Sequence, residues 1–340
     1  MSLAHQYRIA AIVPCYNEEI AVSKVVRDLQ AAVPGMTVFV YDNNSTDATA
    51  RRAADAGAVV CHEPLKGKGN VVRRAFADID ADIYLLIDGD DTYDPEAAPR
   101  LIKRLVDENL DHVVGVRREV EGVPGTSAYR PAHATGNRAL NGIASSIFGD
   151  SLGDMLSGYR VFSRRFVKSF PAVSREFEIE TELTIHSLAL RIPAATEAVD
   201  FKDRAEGSES KLRTYRDGWK ILSVILNLAR HERPLGYYGA LALLSTLLAT
   251  GLALPVLVEY LATSYVPRVP TLVAVAVLAL MSCLAVIAGM VLDGIRKSRH
   301  ELSRLTYLRQ APVRDNRPAL RLSPTPLNEV RVPQARAEIA

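Results

Sequence analysis

Two aspartates separated by one glycine, Asp88 and Asp90, stand where an apolar run ends, and Asp91 follows them. The run, Ile83-Tyr84-Leu85-Leu86-Ile87, is short and mostly β-branched or aromatic, the pattern of a buried strand. The acids therefore leave the sheet together. Gly89 lets the backbone bend and puts no side chain between Asp88 and Asp90, so both can face one cleft. Carboxylates crowded at a strand end repel each other and are costly to desolvate. A divalent cation removes that cost, and hard oxygen ligands suit magnesium or manganese. A solvated acidic turn with an Asx cap would use the same residues. The neighbouring elements decide between the two.

Upstream, Ile9 to Val13 is a predicted strand that ends at Pro14-Cys15-Tyr16-Asn17-Glu18-Glu19. A helix from Ile20 to Ala32 follows, with Val22, Val25, Val26 and Leu29 on one buried face. Thr37 to Tyr41 is a second strand, ending at Asp42-Asn43-Asn44-Ser45-Thr46-Asp47, and a helix from Ala48 to Ala56 stops at Gly57. Ala58 to Cys61 is a third strand, ending at Pro64-Leu65-Lys66-Gly67-Lys68-Gly69 before a helix from Asn70 to Asp78. Such alternation predicts right-handed crossovers and a parallel sheet. Every polar cluster then falls at the carboxyl end of a strand, the edge where open α/β sheets bind ligands. Lys66-Gly67-Lys68-Gly69 offers two cations and flexible backbone at a helix start, an anion cradle. Neither G-x-x-x-x-G-K-[ST] nor G-x-G-x-x-G occurs at the first turn, so the usual ATP and dinucleotide signatures are missing. Asp42 can accept from a base or ribose, or cap a helix, as Ser45 can. Glu18 can equally be an acid favoured at a helix start.

The 340 residues suggest about two domains, and a net charge of +2 offers no field for nucleic acid. Cys15, Cys61 and Cys283 lack ligand spacing and read as small hydrophobes in a reducing compartment. The first residues lack a basic stretch followed by a long apolar run, so no signal peptide is expected. Pro234 to Val258 and Val269 to Leu292 carry no charge, and each exceeds the roughly 20 residues that cross a bilayer as helix. Joined by Glu259 to Arg268, they predict a transmembrane hairpin. Arg230 and Arg233 precede it, and Arg296, Lys297 and Arg299 follow it, which puts both ends and the N-terminal domain on the cytoplasmic side of an inner membrane. From Tyr215 to Glu232, Leu222, Ile225, Leu226 and Ala229 share a face, with Trp219 near the start, as an interfacial helix would have. Arg296 to Arg309 is basic enough to touch anionic lipid, and the Pro- and Arg-rich end from Ala311 is expected to be disordered. The expected division is 1–212 for the α/β domain, 213–233 for the interfacial helix, 234–295 for the hairpin and 296–340 for a basic, largely disordered tail.

Val13-Pro14-Cys15-Tyr16-Asn17-Glu18-Glu19, Asp42 to Asp47, Lys66-Gly67-Lys68-Gly69 and Asp88-Gly89-Asp90 together resemble the family 2 glycosyltransferases of GT-A fold. Ser157-Gly158-Tyr159-Arg160, Glu178-Ile179-Glu180-Thr181-Glu182 and Arg204 to Leu212 look like the polyprenyl-phosphate sugar transferases, including dolichyl-phosphate mannose and glucose synthases. The resemblance implies a Rossmann-like, mostly parallel GT-A domain followed by an interfacial helix and a two-helix membrane hairpin. It implies that Pro14, Tyr16, Glu18 and Asp42 hold the base and ribose of a nucleotide diphosphate sugar, with Lys68 of the cradle near its phosphates. It further implies that Asp88 and Asp90 bind Mg2+ or Mn2+, with Thr92 as a further polar neighbour. Arg117 and Arg130 would take the phosphate of a polyprenyl phosphate acceptor, with Arg204, Ser210 and Lys211 on its far side. Asp88, Asp90, Arg117 and Arg130 would thus carry the chemistry, with Asp154 and Arg160 building the pocket. Where the family often has paired acids after the second strand, this chain has Asp42-Asn43. Glu178, Glu180 and Glu182 could line a strand or start a helix.

The implied reaction is inverting transfer of a hexose, from a UDP-sugar by preference, to a lipid phosphate in the bilayer. Its dianion would need no strong base, and Asp90 or Asp91 would be nearest if one were used. A homo-oligomer, a tetramer through the hairpin, is compatible with the pattern. Two other readings are a processive polysaccharide synthase and a silent nucleotide-sugar-binding membrane protein. The first is disfavoured by having only two spans and no Gln-x-x-Arg-Trp motif.

Overall fold

The computed structural model describes residues 6–119, 142, 153–172, 179–202, 230–266 and 268–313. Arg130, Arg204, Ser210, Lys211, Glu178 and most of the expected interfacial helix lie outside the described residues.

The first half of the chain folds as its periodicity predicts. In order come β1 (Ile9–Cys15), α1 (Val22–Ala32), β2 (Thr37–Asp42), α2 (Thr49–Asp55), β3 (Val59–His62), α3 (Lys68–Asp78) and β4 (Ile83–Leu86). A 3-10 turn at Pro95–Ala97, capped by the Asp94 side chain, leads into α4 (Ala98–Asp107) and β5 (His112–Glu119). Then come β6 (Arg160–Ser163), α5 (Arg164–Ser169), α6 (Ile179–Leu190) and β7 (Ala194–Phe201). Among the described residues the strands form one seven-stranded sheet in the order β3-β2-β1-β4-β6-β5-β7. All its pairs are parallel except those made by β6, which runs against both β4 and β5.

Side chains alternate across β1, so Ile9, Ala11 and Val13 join one core with α1 and α4, while Ala10 and Ile12 join another with α3, α5 and α6. Both faces are covered, which is why the central strands read as continuous apolar runs. The chain steps outward from β1 to β3 and then returns to place β4 on the other side of β1. The resulting switch point opens a crevice at the carboxyl ends of β1 and β4.

The second core contains two buried histidines. His112 shares a 2.7 Å hydrogen bond between Nδ1 and Ser187 Oγ, and His186 Nε2 lies 3.1 Å from Ser169 Oγ. Burial, then nearby Arg160, pushes His112 well below the ordinary histidine range, and burial, then His300, pushes His186 down to about 3. Below the unfolded value near 6.5, the unfolded chain takes up protons that the folded one refuses, so stability falls with pH. The expected slope is up to about 1.4 kcal/mol per pH unit for each histidine between pH 6.5 and the folded values. Thermal melts from pH 7.5 to 5 should show it, and His186→Asn should remove one histidine's share of the slope and leave that of His112.

Two long helices close the described chain, α7 (Pro234–Thr263) and α8 (Val269–Leu308). Both are long and apolar enough to cross a membrane. Their apolar side chains point outward, Leu244 being 64% exposed and Leu261 73%, which fits a lipid environment and not the core of a soluble domain. They pack on each other through small and hydroxylated residues: Thr246 Oγ1 lies 2.8 Å from Ser282 Oγ, and Ser282 donates to the Ala242 carbonyl at 3.0 Å.

The boundary expected at residue 295 falls inside α8, because the helix continues after its apolar part ends. Asp293 pairs with Arg296 and Lys297, both at 2.9 Å, as the helix leaves the apolar span. The last turns then dock on the α/β domain. Tyr307 donates to Asp111 Oδ2 at 2.7 Å, and Arg304 donates to the Leu190 carbonyl at 2.9 Å while stacking over the Tyr307 ring. The stretch from Arg296 to Arg309, expected as a basic segment at the lipid surface, thus includes a helical strut against the α/β domain.

Candidate active site

Loops after β1, β2, β3 and β4 converge at the switch point and are stitched to one another. Asn43 is buried; its Nδ2 donates to the carbonyls of Glu63 at 2.9 Å and Leu65 at 2.8 Å, and its Oδ1 accepts from Gly67 N at 2.7 Å. The residue that departs from the paired-acid pattern therefore ties the second loop to the third. Asn17 Oδ1 accepts from Thr46 N at 2.8 Å, and its own N–H donates to Ser45 Oγ at 3.0 Å. Asn17 (φ 54°) and Asn44 (φ 67°) adopt left-handed conformations, which asparagine tolerates better than most residues.

Asp42, 7% exposed, accepts from Ser45 N at 3.2 Å and lies 3.3 Å from His62 Nδ1. Tyr16 is at the surface with the Lys66 ammonium 5.6 Å from its ring centre, and Pro14 and Glu18 are partly exposed beside it. Pro14, Tyr16, Glu18 and Asp42 therefore share one rim, supplied by the ends of β1 and β2.

Asp88 and Asp90 occupy the floor. Asp90 is 7% exposed, and its Oδ1 accepts from Thr92 Oγ1 at 2.6 Å and Thr92 N at 3.2 Å. Asp88 meets the Lys68 ammonium, which also lies 2.5 Å from Glu180 Oε1. Burial works against the Lys68 charge, but Asp88 and Glu180 outweigh it and hold its pKa above the ordinary lysine value. Burial first, and then the Asp88 charge, push the Glu180 carboxyl upward against the pull of Lys68. Asp91 faces elsewhere, held by Lys24 at 3.1 Å and Lys202 at 2.8 Å. Both of its carboxylate oxygens are taken by lysine ammoniums.

The antiparallel strand β6 completes the floor. Its register pairs Leu86 with Arg160, which carries Gly158 opposite Asp88. A Cβ at Gly158 would run into the Asp88 carboxylate, and one at Gly89 into Cys15 Sγ. Glycine at these two positions makes the room Asp88 needs. Gly158→Ala should displace that carboxylate and lower turnover about 10²-fold, since a misplacement near 1 Å can cost that much. A rate within twofold of wild type, with an unchanged melt, would contradict it.

Arg160 pins the approach to β6. Fully buried, it donates to the carbonyls of Ser157 and Met155 and to Thr184 Oγ1, each at 2.8 Å. Burial pulls it down to about 10, against the opposing charges of Glu180 and Asp154. Arg117 spends its fork on Asp154, at 2.6 and 2.9 Å, with its guanidinium over Phe201. That bidentate pair anchors the segment before β6 to β5, on the same side of the sheet edge as Asp88.

As a donor set, two carboxylates at a strand end suit Mg2+ or Mn2+. Among the described residues no group of three or more His, Cys, Asp or Glu could hold an ion. Such a pair leaves most coordination positions to ligand oxygens, the usual arrangement for magnesium with phosphates.

A model described as Glycosyl transferase family 2 matches residues 10–170. The chain is 34% identical over 269 residues to the glycosyltransferase AglJ of Haloferax volcanii, covering 79% of this chain and 87% of that one. The chain belongs to glycosyltransferase family 2. This family 2 glycosyltransferase is also 26% identical over 225 residues to the dolichyl-phosphate hexose transferase of Haloferax volcanii, across 66% of this chain and 95% of that one. Among solved structures it is similar to glucosyl-3-phosphoglycerate synthase from Mycobacterium tuberculosis, crystallised with Mn2+, UDP-glucose and phosphoglyceric acid. That match has a TM-score of 0.54 at 24% identity and covers 66% of this chain and 79% of the other, a likeness of fold. The GT-A architecture expected from the motifs is the one observed. Glu180 is the residue whose place at the glycosyltransferase floor sequence reasoning left open. Its signals were the alternation of Glu178, Glu180 and Glu182, which fits a strand face or a helix start, and the motif from Glu178 to Glu182.

Proposed function

We propose that the chain transfers a hexose from a UDP-sugar to the phosphate of a polyprenyl phosphate at the cytoplasmic face of an inner membrane, with inversion at the anomeric carbon. The observation that carries this reading is the pairing of Asp88 and Asp90 at the switch point with a hairpin of membrane-crossing length, latched to the same domain by Tyr307. A dolichyl-phosphate hexose transferase among the relatives supports the acceptor class.

In this reading the rim of Pro14, Tyr16, Glu18 and Asp42 receives the base and ribose. Asp88 and Asp90 would hold a divalent cation, which would supply neutralising charge for a departing nucleoside diphosphate. The acceptor needs little activation, because a phosphate monoester has its second pKa near 6 and is largely dianionic at neutral pH. What remains for the protein is to hold two anions together. Arg117, fixed by Asp154, lies near the carboxyl end of β5, and Arg130, Arg204, Ser210 and Lys211 are proposed to join it around the lipid phosphate. The division into a GT-A domain, an interfacial helix and a hairpin, and assembly into tetramers, belong to the same proposal.

A panel of UDP- and GDP-hexoses with undecaprenyl and dolichyl phosphate, read by the mass of the lipid product, tests it. A lipid carrying one hexose on its phosphate is the expected product. Sugar polymer, or no lipid product with any donor, would contradict the reading.

A further inference from the structure

The Lys68 ammonium is a buried cation beside the proposed metal ligands, and it has more anionic partners than it needs. Its side chain is 8% exposed, that of Glu180 5%, and both Asp88 and Glu180 reach it. Lys68 alone between these two acids does not balance both, and Arg160, the buried cation whose charge Glu180 also opposes, hydrogen-bonds to Ser157, Met155 and Thr184 and not to the carboxylate. Among the described residues, Glu180 Oε2 is buried without a hydrogen-bond partner. Asp88 alone would balance Lys68, so a second buried acid with half its acceptor capacity unused costs desolvation and calls for a role. Lysine carries a point charge on a flexible stem, and Lys68 is the first residue of α3, with its backbone anchored at the cradle.

We infer that Lys68 is a tethered counter-ion that competes with the divalent metal for Asp88, and that Glu180 holds the ammonium once it is displaced. The inference rests on the reading of Asp88 and Asp90 as metal ligands. Metal alone must displace the ammonium and binds weakly. A nucleoside diphosphate offers the ammonium phosphate oxygens, frees Asp88, and so binds cooperatively with the metal, each tightening the other by the same factor. Glu180 keeps Lys68 neutralised in either position and prevents it from locking onto Asp88.

The test is a titration of the full chain in detergent with Mn2+, free ion being counted by electron paramagnetic resonance, without nucleotide and with UDP. Wild type should bind Mn2+ at least about tenfold more tightly with UDP than without it. Lys68→Gln should bind Mn2+ alone at least about tenfold more tightly than wild type and lose most of the UDP effect. Glu180→Gln should shift the other way, because the ammonium then rests on Asp88 alone, and Lys68→Arg should stay near wild type. A merely structural role would lower the melting temperature without opposite shifts in affinity. No tightening in Lys68→Gln, or equal shifts of both variants in one direction, would overturn the inference. If Lys68→Gln does not fold, unchanged Mn2+ binding by Glu180→Gln does so. Failure of wild type to bind Mn2+ even with UDP, or unaltered binding by Asp90→Asn, would instead overturn the underlying metal assignment.

Discussion

Asp90→Asn is expected to lower turnover at least about 10³-fold and to leave the protein folded. A cation at a departing diphosphate supplies several kcal/mol, and each 1.36 kcal/mol is a factor of ten in rate. The substitution isolates that effect. Asp90 Oδ1 accepts from Thr92 N and Thr92 Oγ1, and the amide oxygen of asparagine can accept both. The turn after β4 therefore survives while the charge is lost. Turnover measured beside a thermal melt checks it: a lost rate with a melt within a few degrees is expected. A rate within tenfold of wild type would remove Asp90 from the proposed chemistry.

The second large effect concerns stability. Asp111 is fully buried and accepts from Ser163 Oγ at 2.6 Å, from two nitrogens of Arg165 at 2.5 Å each, and from Tyr307 at 2.7 Å. Asp111→Ala removes the carboxylate that meets the Arg165 guanidinium, itself only 15% exposed. Removing one partner of a buried pair costs about 3–5 kcal/mol, and the lower end applies because Arg165 keeps some solvent. The same change unfastens the last turns of α8 from the domain. The expected result is a loss of about 3 kcal/mol, read as a lower melting temperature, together with faster proteolysis near Tyr307. Tyr307→Phe, which gives up one hydrogen bond and keeps the ring under Arg165, should cost only about 1 kcal/mol. Equal losses from the two variants would show that the hydrogen bond from the Tyr307 hydroxyl, and not the pairing of Asp111 with Arg165, carries the stability.

Much of this was legible before any coordinates, and the parts that were not share a cause. The strands β1, β2 and β4 are apolar because both faces of the sheet are covered, so hydropathy marks them, and their ends mark the edge with Asp42, Asp88 and Asp90. The strand β6 is only four residues, Arg160–Ser163, too short for periodicity to find, and its antiparallel insertion is what sets Gly158 against Asp88. The pairing of Lys68 with Glu180 crosses more than a hundred residues, and Asp91 is claimed by Lys24 and Lys202 from two distant elements. No local pattern encodes such partners. The course of α8 past Leu292 was hidden differently. Its basic residues read as a lipid-facing tail, whereas Arg304 and Tyr307 face the α/β domain.

In the proposed reaction the attacking group is a lipid phosphate, and Asp88 and Asp90 would hold a divalent cation at the leaving nucleotide. The most direct measurement is release of nucleoside diphosphate from the donor, compared for a polyprenyl phosphate and the corresponding polyprenol, each with Mn2+ and with a chelator. Release matched one for one by glycosylated lipid, only with the phosphate and only with the metal, is the predicted result. Equal release with the polyprenol, or release that survives chelation, would contradict it.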